Sequence, residues 1–317
     1  MINLFGAKVA ITGASSMISR SIIPILKNRG AMVIPCYHSE FDLTDQIDAQ
    51  NFFSKNKPDY CISLATNSGS AWWNTKYPAD TFRKTSLINI NTLTCAKDYG
   101  VKKTVSVLSS CAIADLDNQE LKESDLYNGK CNDSIASHGY AKRTLDCYSR
   151  FLRQQFNFNG VACILQNCYG PHDRFDKYKA KVVGALIKKI YEAKINNIPF
   201  VQNFGDGSNL RELIYVQDAA EGIVQVLEKY EEVDPINITS DIEISIKDLT
   251  DLICELVGYT GKVQWENKPS GQMRKKLNSD KMKQYLNFNI TPIKTGLMET
   301  IQWYKENKDN LDEVIKW

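Results

Sequence analysis

Val9-Ala10-Ile11-Thr12-Gly13-Ala14-Ser15-Ser16-Met17-Ile18-Ser19 is the stretch from which the fold is read. Lys8–Thr12 is a short, mostly apolar run that stops at Gly13, the pattern of a parallel strand buried on both faces. Helical spacing starts near Met17 and lasts to about Arg29, where Gly30 closes it as a C-cap. Strand, glycine turn and helix in that order leave unpaired N–H groups at the helix start, which suits a phosphate. The dinucleotide pattern has glycines where this chain has Gly13, Ser16 and Ser19, and only the first is glycine. Ser16 is expected to push a Cβ towards a pyrophosphate, and Ser19 to crowd the helix against the strand. Taken alone, the turn fits an ordinary strand–turn–helix of another α/β protein equally well.

Outward from that turn the same alternation repeats. Ala31–Pro35 reads as a second strand, and Asp42-Leu43-Thr44-Asp45 starts a helix with a capping residue. Tyr60–Leu64 reads as a third strand, Pro78–Tyr99 as a long helix ended by Gly100, and Lys103–Ser109 as a fourth strand. Ile135–Gln155 is a second long helix, followed by a strand at Val161–Gln166. Strands separated by helices predict βαβ units, hence α/β architecture with a Rossmann doubly wound parallel sheet. Beyond Gly170-Pro171 the pattern is mixed. Val182–Lys194, Gln217–Lys229, Ser245–Val257 and Thr291–Lys308 look helical, and Phe200–Phe204, Arg211–Val216 and Asn237–Thr239 look like short strands. Residues 1–170 are expected to form the dinucleotide-binding domain, with segments around 205–240 returning to it. Residues 171–317 are expected to form, for the most part, a smaller mixed α/β substrate domain.

Composition narrows the function classes. A chain of 317 residues buries roughly three quarters of its unfolded surface and needs no covalent staples. With 39 basic and 37 acidic residues it carries no global field for nucleic acid or an anionic membrane, so neither partner is expected. No apolar run reaches the ~18 residues that span a bilayer. The first six residues lead straight into the strand pattern without a secretory leader. Nine cysteines, an odd number at irregular spacing, read as reduced thiols of a cytoplasmic protein. Three scattered histidines and no CxxC pair give no metal site.

The reading becomes specific at Leu108-Ser109-Ser110-Cys111, at His138-Gly139-Tyr140-Ala141-Lys142-Arg143 and at Asn167-Cys168-Tyr169-Gly170-Pro171-His172-Asp173. In this order they resemble the extended short-chain dehydrogenase/reductases, the NAD-dependent epimerase/dehydratase family. Within it the chain is most similar to enzymes that epimerise C3 and C5 of a GDP-linked 4-keto sugar and then reduce C4. Tyr77-Pro78-Ala79-Asp80, Gly205-Asp206-Gly207, Leu210-Arg211-Glu212 and Lys268-Pro269-Ser270-Gly271-Gln272 extend the resemblance over nearly the whole chain. It implies Cys111 and His172 as base and acid at the epimerised carbons, with an inert buried thiol and a structural loop histidine as the plainer alternatives. It implies Ser109 as hydrogen-bond partner of the C4 oxygen and Lys142 as the lysine of the reductive site. Cofactor contacts are implied at Gly13, Ser15, Ser16, Met17, Ile18, Asp42, Leu43, Ala65 and Lys142. The cofactor is NADP by resemblance, with NAD open, because the segment Tyr37-His38 after the second strand carries neither the usual aspartate nor arginine. Asn167, Lys188, Arg211 and Lys275 are implied to hold the nucleotide sugar. Arg211 suits bidentate phosphate contact, and Lys188 reads equally as a solvated helix face. A homodimer through the two long helices is implied as well.

One departure bears on the chemistry. The family places a tyrosine four residues before its lysine, one helical turn away, and here that position is His138. Tyr140, two residues from Lys142, is expected to point elsewhere. Either His138, with an ordinary pKa near ~6.5, donates the proton to the C4 alkoxide, or the reductive step is lost and the protein epimerises or only binds. Ala112-Ile113-Ala114-Asp115 and Thr85 also depart from the family pattern.

Overall fold

The computed structural model describes residues 1–116, 120–176, 178–266 and 273–311. The motif Lys268–Gln272 lies outside the described residues. The first half runs β1 (Lys8–Thr12), α1 (Met17–Asn28), β2 (Met32–Cys36), α2 (Gln46–Asn56), β3 (Tyr60–Ser63), α3 (Ala71–Lys76), α4 (Pro78–Asp98) and β4 (Lys103–Ser109). It continues through β5 (Glu120–Leu121), α5 (Ala136–Phe156), β6 (Gly160–Leu165) and β7 (Asn167–Tyr169). Then follow α6 (Val182–Ile195), β8 (Phe200–Phe204), β9 (Leu210–Tyr215), α7 (Val216–Lys229), β10 (Ile236–Ile238) and β11 (Glu243–Ser245). The last elements are α8 (Ile246–Val257), β12 (Lys262–Glu266), β13 (Arg274–Leu277), α9 (Asp280–Tyr285) and α10 (Ile293–Asn307).

Six parallel strands form the main sheet in the order β10-β6-β4-β3-β1-β2. The apolar runs that predict two-sided burial resolve into alternate residues. Val9 and Ile11 join the core under α1 and α7, whereas Ala10 joins the core under α2, α4 and α5. Strand order reverses between β1 and β3, the topological switch point beyond whose carboxyl ends open α/β sheets bind their ligands. The helices begin and end where local chemistry predicts. Asp45 caps α2 by accepting from Ile47 and Asp48 N–H, and Gly30 and Gly100 take the left-handed conformation after α1 and α4.

A second, mixed sheet runs β11-β9-β13-β5, with β7 also paired to β9. β8 and β12 form a separate parallel pair. Periodicity missed α3, β5, β7, β11, β12, β13 and α9. Each is six residues or shorter, so no repeat of 3.6 or 2 is completed often enough to stand out. The second strand lies one residue later than expected, ending at Cys36.

Candidate active site

Gly13 sits at the switch point with φ +67°. A Cβ there would lie 2.9 Å from Ala65 Cα, so only glycine lets the turn close over the end of β3. Thr12 Oγ1 accepts the N–H groups of Leu64 and Ala65, both at 3.1 Å, and stitches the two strand ends together. The crowding expected from Ser19 does not occur. Its hydroxyl donates to Gly13 O at 2.9 Å and receives that of Ser16 at 2.9 Å, and Ser16 Oγ caps Ser19 N–H. The two serines replace glycine by satisfying each other inside the turn. Ser15 carbonyl holds Arg20 Nε at 3.2 Å. The N–H groups of Met17 and Ile18 open α1, where an α-helix has no partner of its own for them. These N–H groups, at a helix start that the Gly13 turn holds against the end of β3, fit a dinucleotide pyrophosphate.

The neighbouring rim is equally ordered. Asp42 accepts from Thr44 N–H and hydroxyl, His38 Nδ1 lies 3.8 Å away, and Leu43 O receives Asn91 Nδ2 at 3.0 Å. Thr85, buried in α4, bonds both N–H and C=O of Asn67 and so pins the loop after β3.

Beyond β4, Ser109 Oγ accepts Cys111 N–H at 3.3 Å and starts a single 3-10 turn, Ser110–Ala112. Cys111 is half-buried in that turn. α5 passes directly over it: a Cβ on Gly139 would lie 2.4 Å from Cys111 O and 2.8 Å from Cys131 Sγ. This close approach sets His138, in the first turn of α5, near the end of β4. Lys142, one turn on, is buried and donates to Val107 O at 2.8 Å. Tyr140 leaves this face; it is exposed, with the Arg143 guanidinium 5.3 Å from its ring centre.

His138 is 8 % exposed, and its Nδ1 is buried without a hydrogen-bond partner. Burial pushes its pKa down to about 3, helped by the charges of Lys142, Lys181 and Lys275. The ordinary imidazole value therefore does not apply, and at neutral pH the ring is uncharged. Burial also brings Lys142 down to about 8, against a small opposing effect of Cys163. Between an unfolded value near ~6.5 and the folded one, only the unfolded chain takes up a proton at His138. Its contribution to stability is complete above that window and is lost as the pH falls through it. The thermal midpoint is expected to drop more steeply between pH 7 and 5 in the wild type than in His138→Phe; equal slopes would contradict this.

His172 reaches the rim from the loop after β7, at φ +67°. Its ring packs on Trp303 of α10 at 4.7 Å between centroids. Burial and the charge of Arg20 lower its pKa. Asn167 opens β7 opposite Leu213 of β9. Arg211 and Lys275 are register partners on β9 and β13, so the two cations stand side by side, Lys275 buried and Arg211 half-buried. Burial lowers the Arg211 pKa. Lys188 stands apart on α6, its Nζ 3.7 Å from Glu192 one turn away. Sequence reading missed Lys181, Arg20 and Trp303, which belong to no local motif and become neighbours of the site only through tertiary packing, and it gave Gly139, inside a quoted motif, no role. Among the described residues no cluster of three or more His, Cys, Asp or Glu could hold a metal, and no helix is long and apolar enough to cross a membrane.

The model of the NAD dependent epimerase/dehydratase family matches residues 9–239. A putative GDP-L-fucose synthase 2 of Arabidopsis thaliana is 33% identical over 306 residues, 95% of this chain and 92% of that protein. The crystal structure of a GDP-L-fucose synthetase from Naegleria fowleri bound to NADP superposes with a TM-score of 0.90 at 27% identity, covering 98% of this chain and 97% of that one. A GDP-6-OMe-4-keto-L-xylo-heptose reductase from C. jejuni shares the fold with a TM-score of 0.88 at 23% identity, covering 97% and 99%.

Proposed function

From the premise that the chain is an enzyme of the NAD dependent epimerase/dehydratase family, we propose that it acts on a GDP-linked 4-keto sugar. The reaction is epimerisation at C3 and/or C5 followed by reduction at C4 with NADP as cofactor, as in the GDP-L-fucose synthases it is similar to. The observation that carries this reading is the crowding of Ser109, Cys111, His138 and Lys142 at the carboxyl end of β4, with the paired cations Arg211 and Lys275 on the adjoining sheet.

A C4 ketone acidifies the protons at C3 and C5. Cys111 and His172 then serve as base and acid on the two faces of the enolate. Arg211 and Lys275 bind the pyrophosphate, with Asn167 near the sugar; Lys188, already paired to Glu192, adds least. Gly13, Ser15, Ser16, Met17, Ile18 and Ala65 would hold the dinucleotide phosphates, and Asp42 and Leu43 the adenine end. When bound, the reduced cofactor supplies the hydride for C4. At that carbon Ser109 and the neutral imidazole of His138 act as hydrogen-bond donors to the oxygen. An uncharged imidazole at the start of a helix can polarise a carbonyl through its N–H. The alkoxide left by hydride transfer takes the N–H proton of His138, and the ammonium of Lys142, one turn away and brought down to about 8 by burial, returns a proton to the ring.

The depressed His138 also favours a second reading, in which exchange at C3 and C5 survives and net reduction is lost. One incubation separates the two: GDP-4-keto-6-deoxymannose in deuterated water, with and without NADPH, followed by nicotinamide absorbance and deuterium at C3 and C5. Exchange with oxidation is the expected result. Exchange alone leaves an epimerase, and neither, despite tight NADPH binding, leaves a binding protein. A homodimer through α4 and α5 belongs to the same proposal, supported by exposed Phe82 and Ile90 on one helix and Tyr140 and Phe151 on the other. Nine free thiols support a reducing, cytoplasmic setting.

A further inference from the structure

The second sheet has a seam. Along one edge β9 pairs with β13 through Leu210 and Arg211, then with β7 from Leu213 onwards. Glu212 lies at the changeover, where neither strand offers it a ladder partner on that edge. Beyond the seam β13 turns away to pair with β5. The gap is filled by side chains. Glu212, fully buried, accepts Leu277 N–H of β13 at 2.8 Å through one carboxylate oxygen. Its other oxygen accepts Asp241 N–H, from the turn between β10 and β11, also at 2.8 Å. Gln166, the residue before β7, donates to Lys275 O at 3.0 Å and reaches Glu212 at 3.5 Å. Ser110 Oγ in turn donates to Gln166 Oε1 at 2.8 Å.

Every member of this chain is the sequence neighbour of a proposed site residue. Ser110 adjoins Ser109 and Cys111, Gln166 adjoins Asn167, and Glu212 adjoins Arg211, while Lys275 is bonded through its own carbonyl. Side chains alternate along a strand, so Glu212 points away from the face that carries Arg211. A fully buried carboxylate is costly, and burial raises its pKa to about 7 against the hydrogen bonds that oppose the shift. An apolar residue would fill the seam but leave the Leu277 and Asp241 N–H groups unsatisfied.

We infer that Glu212, acting with Gln166 and Ser110, is a positioning residue that fixes the Arg211–Lys275 pair at a set distance from the Cys111 turn. On the proposed function, on which this rests, it sets the span between the pyrophosphate of the substrate and the carbons that exchange. Glutamine at this position is nearly isosteric but presents an N–H₂ to one of the two N–H donors, and so opens the seam.

The test is calorimetric binding of GDP and of NADPH to the wild type and to Glu212→Gln, with KM and kcat for the keto sugar and the thermal midpoint. In Glu212→Gln, the Kd for GDP and the KM are expected to rise about tenfold or more. The NADPH Kd should stay within twofold, and kcat at saturation should change much less than KM. Parallel loss of GDP and NADPH affinity would mark a merely structural role and overturn the inference. So would unaltered GDP affinity while the wild type binds GDP. A wild type that fails to bind GDP removes the substrate reading, and the inference with it. Should Glu212→Gln not fold, Gln166→Met removes the other half of the plug at similar volume. It is held to the same split between GDP and NADPH.

Discussion

Cys111→Ala is expected to lower deuterium incorporation at C3 and C5 of the keto sugar by about 10²–10⁴-fold, the usual share of a positioned acid or base. The thiol lies in a 3-10 turn whose backbone is fixed independently of it, by Ser109 Oγ on the Cys111 N–H and by Ile113 N–H on Ser110 O. Removing Sγ therefore leaves the cysteine turn, the main sheet and the Gly13 turn in place, and NADPH affinity is expected to stay within a factor of two. Isotope exchange measured by mass spectrometry, with NADPH titrated in parallel, separates the base from its scaffold. Exchange at the wild-type rate would place the base elsewhere, and equal loss of exchange and cofactor binding would make Cys111 a packing residue.

Gly139→Ala is expected to cost about 1–3 kcal/mol of stability, the range for an extra methyl forced into a packed interior, and to remove most of the exchange activity. The added Cβ would meet Cys111 O at 2.4 Å, a backbone atom that has no rotamer to escape into, and Cys131 Sγ at 2.8 Å. α5 and the cysteine turn must then move apart, and that movement carries His138 away from the end of β4. Chemical denaturation gives the first number and the exchange assay the second. Unchanged stability together with full activity would show that the contact relaxes freely. Alanine is the better helix former, so any loss must come from this contact and not from the helix itself.

The main sheet was legible because each of its strands is a short apolar run between helices with recognisable ends. Asp45, Gly30 and Gly100 announce those ends by their own conformational chemistry. Gly13 was legible for the same reason, as the residue that ends the first strand, whereas Ser109, Cys111 and Lys142 were picked out by the motifs of the family the chain resembles. Reading Ser19 as a clash failed because a sequence shows the size of a side chain but not the partner its hydroxyl finds, here the Gly13 carbonyl. For His138, likewise, residue type suggests the ordinary imidazole value, and burial beside Lys142, Lys181 and Lys275, which no local stretch reveals, lowers it. The second sheet was hardest to read, for its strands pair across Arg211 and Lys275, which lie far apart along the chain.

By itself the sequence determined the βαβ order, the glycine that must lie at the switch point, and which residue types stand at the carboxyl rim. Local propensity and periodicity act over a few residues, and these features need no more. Tertiary structure alone decided that His138 is buried beside lysines, that Tyr140 faces outward, that Lys188 is paired on its helix, and that Glu212 plugs a seam between strands. Each depends on what lies within a few ångströms from distant segments, because burial and hydrogen bonding are properties of neighbourhoods in space.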